Sequence, residues 1–343
     1  MLYHQHIPVL TAEIIDLFRP TPADSLLDAT IGTGGHALAY LAASKPGGTV
    51  VGLDTDAKAI TAAQHYLAAY QDRVTLLTAN FAFLKDSLMG GGILVSVASN
   101  PSAARSVEPE DQSAPRSKVN RSTSDCLFTH ILFDLGIGSH QLDDPTAGFS
   151  FQSDGPLNMK FSTGERLPAS SFQCVNYVTQ RLGHLPTAYE LIARLSVPEL
   201  TLIIRTLGEE KYAGRIAQAI KRHLPATTQG LSAIIAQTVP VHYEHGRINP
   251  ATRTFQALRL AVNRELESLA VALPQAADLL TGNGTLAVIS FHSLEDRIVK
   301  QYFHQSALSL VTKKPITATP DEIKSNPRSR TAKLRAARKK PPS

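Results

Sequence analysis

From Ser25 to Asn80 the chain alternates short apolar runs with helical stretches in a fixed rhythm, and few folds accept that rhythm. SLLDAT is a strand, IGTGGH a glycine-rich turn and ALAYLAAS a helix; TVVGLD is a second buried strand, DAKAITAAQHYLAAY an alanine-rich helix and RVTLLTAN a third strand. Parallel strands need such helical crossovers, so the segment is a βαβαβ unit of a doubly wound α/β sheet. HILFDLG, from His130, resumes the sheet as a buried strand, and TLAVISF, from Thr285, returns the chain to it.

Gly32, Thr33, Gly34, Gly35 and His36 fall between a strand ending at Asp28 and a helix beginning near Ala37. A nucleotide-type ligand meets a doubly wound sheet at that place, and glycines let the backbone approach it without a Cβ in the way. Asp54 closes the second strand, where a carboxylate can accept both hydroxyls of a ribose. Gly32, Gly34 and Ala37 also satisfy the dinucleotide pattern G-x-G-x-x-[GA], so a nicotinamide dinucleotide stays open against S-adenosylmethionine. Two features favour the latter. Asp28 is placed to reach a ligand ammonium, and no Arg or Lys near the loop suggests a pyrophosphate.

With 343 residues the chain has room for two domains, or for one with a large insert. Hydrophobic residues at 43% against charged residues at 18% exclude wholesale disorder. No apolar run nears the ~18 residues that cross a bilayer, so no membrane role is expected. Cys126 and Cys174 cannot staple a scaffold and the scattered histidines form no zinc-type spacing, which fits a reducing cytoplasm; no signal or transit segment is expected. Between Met89 and Asp125 the composition collapses into Gly, Ser, Pro, Asn and charge, the mark of a disordered surface insertion. Helical signals dominate from about Phe161 to Gly246, and PATRTFQALRLAVNRELESLAVAL then reads as one long amphipathic helix with Pro250 at its start. The expected organisation is a sheet domain of residues 1–160 and 247–310 carrying the insertion at 89–125, a helical insert at 161–246 for substrate recognition, and a basic tail at 311–343. Eight of the 34 basic residues lie between Lys324 and Ser343, where there is no acid, leaving 26 basic against 29 acidic groups, about −3, on the rest. Such a basic arm attracts polyanions.

Several blocks, in order, span almost the whole chain: His6-Ile7-Pro8-Val9-Leu10, DATIGTGGH, FDLGIGSHQLDDPTAGFSFQSDGPLNMKF, LGEEKYAGRIAQAI, NPATRTFQALRLAVNREL, VISFHSLEDRIVK and NPRSRTAKLRAA. Together they resemble the bacterial and mitochondrial methyltransferases that modify the exocyclic N4 of a cytosine in small-subunit (16S) ribosomal RNA. The resemblance implies a class I, Rossmann-like methyltransferase domain with a helical insert, S-adenosylmethionine as cofactor, and ribosomal RNA or the small ribosomal subunit as partner; it leaves a homodimer open. It implies cofactor contacts at Gly34, Gly35 and His36 for the methionine end, Asp54 for the ribose, Phe81 for the adenine, Asp134 for the ammonium or the transfer site, and Gln141. The chain departs from the family at Gly138, Ser139 and His140, at Asn158, at Lys160-Phe161-Ser162, and in a shortened segment after SFHSLEDRIVK.

On the substrate side, Phe149 and Phe151 are read either as a platform for a base or as core of the insert, with Asn158 placed to read a base edge. His292, Glu295 and Arg297 follow the last strand and fit the same mouth or a solvated helix start. Phe255, Leu258, Val262 and Leu266 step by three, four and four along one buried helix face, leaving Arg253, Gln256, Arg259 and Asn263 on a polar stripe that suits phosphate. Asp134, or main-chain carbonyls from Leu135 to Gly138, is expected to accept an N–H of the cytosine amino group. The tail is expected to strengthen RNA binding without choosing the base. A dehydrogenase and a non-enzymatic RNA-binding protein with a vestigial pocket are the alternatives.

Overall fold

A computed structural model of the chain describes residues 7–90, 127–161, 167–246 and 248–341. Its centre is a seven-stranded sheet of β1 (Ser25–Asp28), β2 (Thr49–Asp54), β3 (Val74–Thr78), β4 (Phe128–Asp134), β5 (Leu280–Ser290), β6 (Ser309–Leu310) and β7 (Lys333–Arg338), ordered β3-β2-β1-β4-β5-β7-β6. The first five strands are parallel and β7 runs antiparallel between β5 and β6. The order reverses between β1 and β4, which is where a doubly wound sheet opens a crevice beyond its strand ends. Registry brings Asp28, Asp54 and Asp134 to that side, with Asp28 opposite Leu132 and Asp134 opposite Ile289.

Tight packing under the crevice fixes residue size. A Cβ built on Gly52 of β2 would lie 2.8 Å from Ile31 and 2.9 Å from Leu76. Gly52→Val is expected to cost about 1–3 kcal/mol through overpacking, read as a shifted urea midpoint at unchanged slope.

The second layer is helical. Helices Gln173–Leu182, Ala188–Arg194, Val197–Gly208, Ala213–His223 and Thr228–Thr238 enclose a core that includes Ile203, Ile204, Ile216, Ile220, Leu231 and Ile235. Phe255, Leu258 and Val262 join this core, as do Phe149, Leu157 and Met159. The boundaries expected at 160 and 247 are therefore corrected. Residues 149–159 are stitched to the helical layer, with Leu157 N–H donating to the Ala226 carbonyl (3.3 Å) and Thr228 N–H to that of Gly155 (2.9 Å). The single long helix expected from Pro250 is in fact two, Thr252–Asn263 and Glu265–Leu279. Arg264 between them adopts a left-handed conformation (φ 51°), and its buried guanidinium donates to the Pro168 carbonyl (2.6 Å) and to Thr179 Oγ1 (2.9 Å). The first helix serves the helical core, while the second packs Leu269, Ala272, Leu273 and Ala276 on the sheet.

The basic tail is corrected too. Lys333–Arg338 is a strand of the sheet, with Leu334, Ala336 and Ala337 fully buried and Arg335 bidentate on Asp296 (2.6 and 3.2 Å). Before it, helix Pro320–Ser325 and the turn Pro327–Thr331 are tied to the other end of the chain: Leu10 N–H donates to Glu322 (2.8 Å) and Asn326 Nδ2 to the Ile7 carbonyl (3.0 Å). The expected disordered insertion at 89–125 lies outside the described residues apart from Met89 and Gly90, which close the helix Leu84–Gly90. Among the described residues no helix is long and apolar enough to cross a membrane.

Candidate active site

A cleft of about 550 Å³ opens where β1, β2 and β4 end and reaches across to the helical layer. That size suits a nucleoside-sized ligand. On the sheet side its wall includes Thr30, Gly32, Thr33, Asp54, Phe81 and Gln141. The Asp54 carboxylate is held in place by main-chain donors, Gly32 N–H at 3.0 Å and Asp56 N–H at 2.9 Å. Phe81 is braced edge-on by Phe133, with centroids 5.6 Å apart. Gln141 accepts from Gly138 N–H (3.3 Å) and donates to Asp56 Oδ2 (3.3 Å), so the turn after β4 is fastened to the turn after β2.

The glycine loop meets the cleft through Gly32 and Thr33, and Gly34, Gly35 and His36 follow as it turns into the next helix. Gly34 is required by its positive φ of 92°, and a Cβ on Gly35 would sit 3.0 Å from Pro8. Gly35 opens the following helix, with Pro8 packed against it. Asp28 lies off the wall, buried with Oδ1 accepting Thr30 N–H at 3.2 Å; burial pushes its pKa up to about 7.

Asp134 is the acid that does face the cleft. Its backbone N–H donates to Thr30 Oγ1 (2.6 Å), and its Oδ1 is buried without a hydrogen-bond partner. Burial, with a smaller push from Glu295, raises its pKa to about 7. His36 stands behind it, Nδ1 3.6 Å from Asp134 Oδ2. Its Nε2 lies 2.8 Å from the Val9 carbonyl. A carbonyl only accepts, so Nε2 carries the ring proton, and burial keeps the ring neutral by lowering its pKa. Nδ1 then has no proton to give Asp134, which leaves the carboxylate poorly compensated in the ligand-free protein.

The helical side is aromatic and charged. Phe149 stacks on Phe161 (5.1 Å) and Phe151 packs edge-on against Phe255 (5.2 Å), and all four rings line the cleft. The rings thus belong both to the helical core and to the cleft wall. Arg259 Nε donates to Glu265 (2.8 Å) at the wall, and His292 Nε2 lies 3.1 Å from Glu295 Oε1. Burial raises the pKa of Glu265 against the pull of Arg259. Burial would also raise that of Glu295, but His292, Arg259 and the Phe291 N–H together hold it down.

The polar stripe is corrected in part. Arg259, Gln256 and Asn263 face the cleft or other main chain, Asn263 Nδ2 donating to the Met159 carbonyl at 2.7 Å, and Arg253 turns away to the Glu209 carbonyl (3.4 Å). Asn158 is not on the wall. Its main chain ties the 149–159 segment to the helical layer, accepting Ala188 N–H at 3.0 Å. Arg297 forms an exposed pair with Glu209 (2.9 Å). Thr30 and Glu265 were not singled out in the sequence, and Phe161 only as part of a departure from the family pattern. Glu265 could not be, because the helix break that aims it has no glycine or proline to announce it.

A family model described as the MraW methylase family matches residues 3–185 and 180–340. The chain is 38% identical over 358 residues to the "Ribosomal RNA small subunit methyltransferase H" of Dehalococcoides mccartyi (strain BAV1), covering 98% of this chain and 87% of that protein. It is 39% identical over 342 residues to the protein of the same description from Synechococcus sp. (strain CC9605), covering 97% of each. A third, from Syntrophotalea carbinolica, is 36% identical over 358 residues and is covered to 98%, as is this chain.

Proposed function

Because the chain belongs to the MraW methylase family, we propose that it moves a methyl group from S-adenosylmethionine to the exocyclic N4 of a cytosine in small-subunit ribosomal RNA. The observation that carries the reading is Asp134 Oδ1, a buried acceptor without a partner, set at the sheet's switch point between a ribose-suited acid and an aromatic wall. The donor set fits the cofactor. Asp54 would hold the ribose hydroxyls, Phe81 would border the adenine, and Gly32, Thr33 and Gln141 would close the rest of that end. When bound, S-adenosylmethionine supplies an electrophilic methyl on a sulfonium.

The residues of the chain then have three tasks. The first is alignment, because an in-line displacement needs the nucleophile held against the methyl. Phe149, Phe151, Phe161 and Phe255 suit this task, since a base out of its stack regains stacking on rings, and the same rings keep water out. The second task is to help the amino nitrogen, whose lone pair is delocalised into the pyrimidine. An acceptor for one of its N–H bonds favours a pyramidal nitrogen as attack proceeds, and Asp134 Oδ1 is that acceptor. The third is proton removal after transfer, which needs no strong base because the methylated amine is acidic.

Ribosomal RNA from cells lacking the protein, incubated with the purified chain and S-adenosylmethionine, is expected to gain N4-methylcytidine at one position, read by nuclease digestion and mass spectrometry. A methyl on another atom, or none, would defeat the proposal. Adenosylhomocysteine at a hundred times its Kd is expected to stabilise the chain by about 2.7 kcal/mol, and NAD at the same concentration by nothing measurable.

A further inference from the structure

A nucleotide whose base enters the cleft stays joined to its strand, with a phosphate on either side of its ribose. Phe291, His292 and Thr331 line the cleft, and the same three residues line a second, open groove of about 280 Å³. Ser293, Thr317, Arg330, Ala332 and Lys333 complete that groove. The turn Pro327–Thr331 divides its cations between the two spaces, Arg328 lining the cleft and Arg330 the groove.

The turn that carries these cations is held in place by its own bonds. Arg330 is exposed and has no ion-pair partner among the described residues. Lys333 lies 3.5 Å from Asp296, but that carboxylate already takes both forks of Arg335 (2.6 and 3.2 Å), so one positive charge is left over. Arg328 is paired with the exposed Asp143 at 3.7 Å. Ser329, between the arginines, is buried, with its hydroxyl donating to the Asn326 carbonyl (2.8 Å). Ala332 N–H donates to the Ser329 carbonyl (3.0 Å) and Leu334 N–H to that of Ile316 (2.8 Å). A turn held this way loses little freedom when its arginines meet an anion.

We propose that the groove of Thr317, Arg330 and Lys333 is a phosphodiester subsite that clamps the single-stranded RNA nucleotide next to the one in the cleft. The clamp rests on the RNA methyltransferase reading above and adds to it where the strand runs. It positions the strand and does not choose the base.

The test uses the full chain and a short single-stranded RNA containing one cytosine, with affinity followed by fluorescence anisotropy from 50 to 200 mM KCl. Arg330→Ala is expected to lower the slope of log affinity against log salt by about 0.7, the share of one phosphate on a single strand, and to raise KM for RNA, with adenosylhomocysteine affinity unchanged. Arg330→Lys, which keeps the charge, is expected to restore the slope. An unchanged slope and KM in Arg330→Ala overturn the clamp, and so does an equal loss of adenosylhomocysteine affinity, which would mark a structural role. A wild-type chain that does not bind the RNA removes the reading on which the clamp rests, and the clamp with it.

Discussion

A chain ending at Thr331 is expected to lose its cooperative unfolding transition and to accumulate as insoluble protein, although the residues removed look like a dispensable basic arm. The missing segment contains β7, which pairs with β5 over Thr285–Ser290 and with β6 over Ser309–Leu310. Its removal withdraws Leu334, Ala336 and Ala337 from the core and bares the edge of β5 along Leu286, Ala287, Val288 and Ile289. Asp296 would lose both of its cationic partners at once. Burying one leucine contributes about 1.5–3 kcal/mol, and each lost ladder bond about 1, so the sum matches the ~5–15 kcal/mol by which a domain is usually stable. An unpaired, apolar strand edge also recruits other chains. Circular dichroism during urea titration and the soluble fraction on expression check the outcome. A truncated chain that unfolds at the wild-type midpoint would show that the tail is an appendage after all. If the chain does unfold, truncation cannot report on RNA contact, and only point changes such as Arg330→Ala separate the tail's two duties.

The same segment shows what the sequence hides. In KLRAAR the basic side chains dominate any charge count, yet the apolar residues between them form the strand, and its pairing partners lie 27 to 53 residues away. Long-range pairing leaves no local mark. The βαβαβ unit was legible for the opposite reason, since each of its elements declares itself by an apolar run and a turn. Strand-end acids were legible too: Asp54 and Asp134 line the cleft because parallel strands deliver their C-terminal residues to one side. The glycine loop was legible as a turn, but not the close packing of Leu67 on Gly34 and of Pro8 on Gly35, which come from distant parts of the chain. Arg264 gave no signal because an arginine is an ordinary helical residue, and only its buried bonds to Pro168 and Thr179 make the left-handed kink worthwhile. Without that kink, Glu265 would not reach Arg259 at the wall.

Asp134→Asn is the substitution expected to change activity most, and its effects on stability and on turnover should have opposite signs. In the ligand-free chain the Asp134 pKa is about 7 against 3.8 for an ordinary aspartate. The folded protein therefore holds a proton that the unfolded chain has already released between those values. Its contribution to stability is full below pH 4 and is lost as pH rises through 7, a cost on the order of a few kcal/mol above that range. Asn158 and the other amides of the chain do not titrate, and an asparagine at 134 would not either, so the variant is expected to unfold at a higher temperature than wild type at pH 8.5 and with little difference at pH 4. Turnover should move the other way. A carboxylate is needed to accept the amino N–H, so the wild-type kcat/KM, which reports the free enzyme, is expected to fall about tenfold per unit below pH 7 and to level off above it, while the variant, about a hundredfold slower or more, loses that dependence. Adenosylhomocysteine affinity completes the measurement. If it falls with turnover retained, Asp134 holds the cofactor's ammonium instead of the base. If neither changes, Asp134 has no part in the chemistry, and the main-chain carbonyls from Leu135 to Gly138, which also line the cleft, become the acceptors to examine.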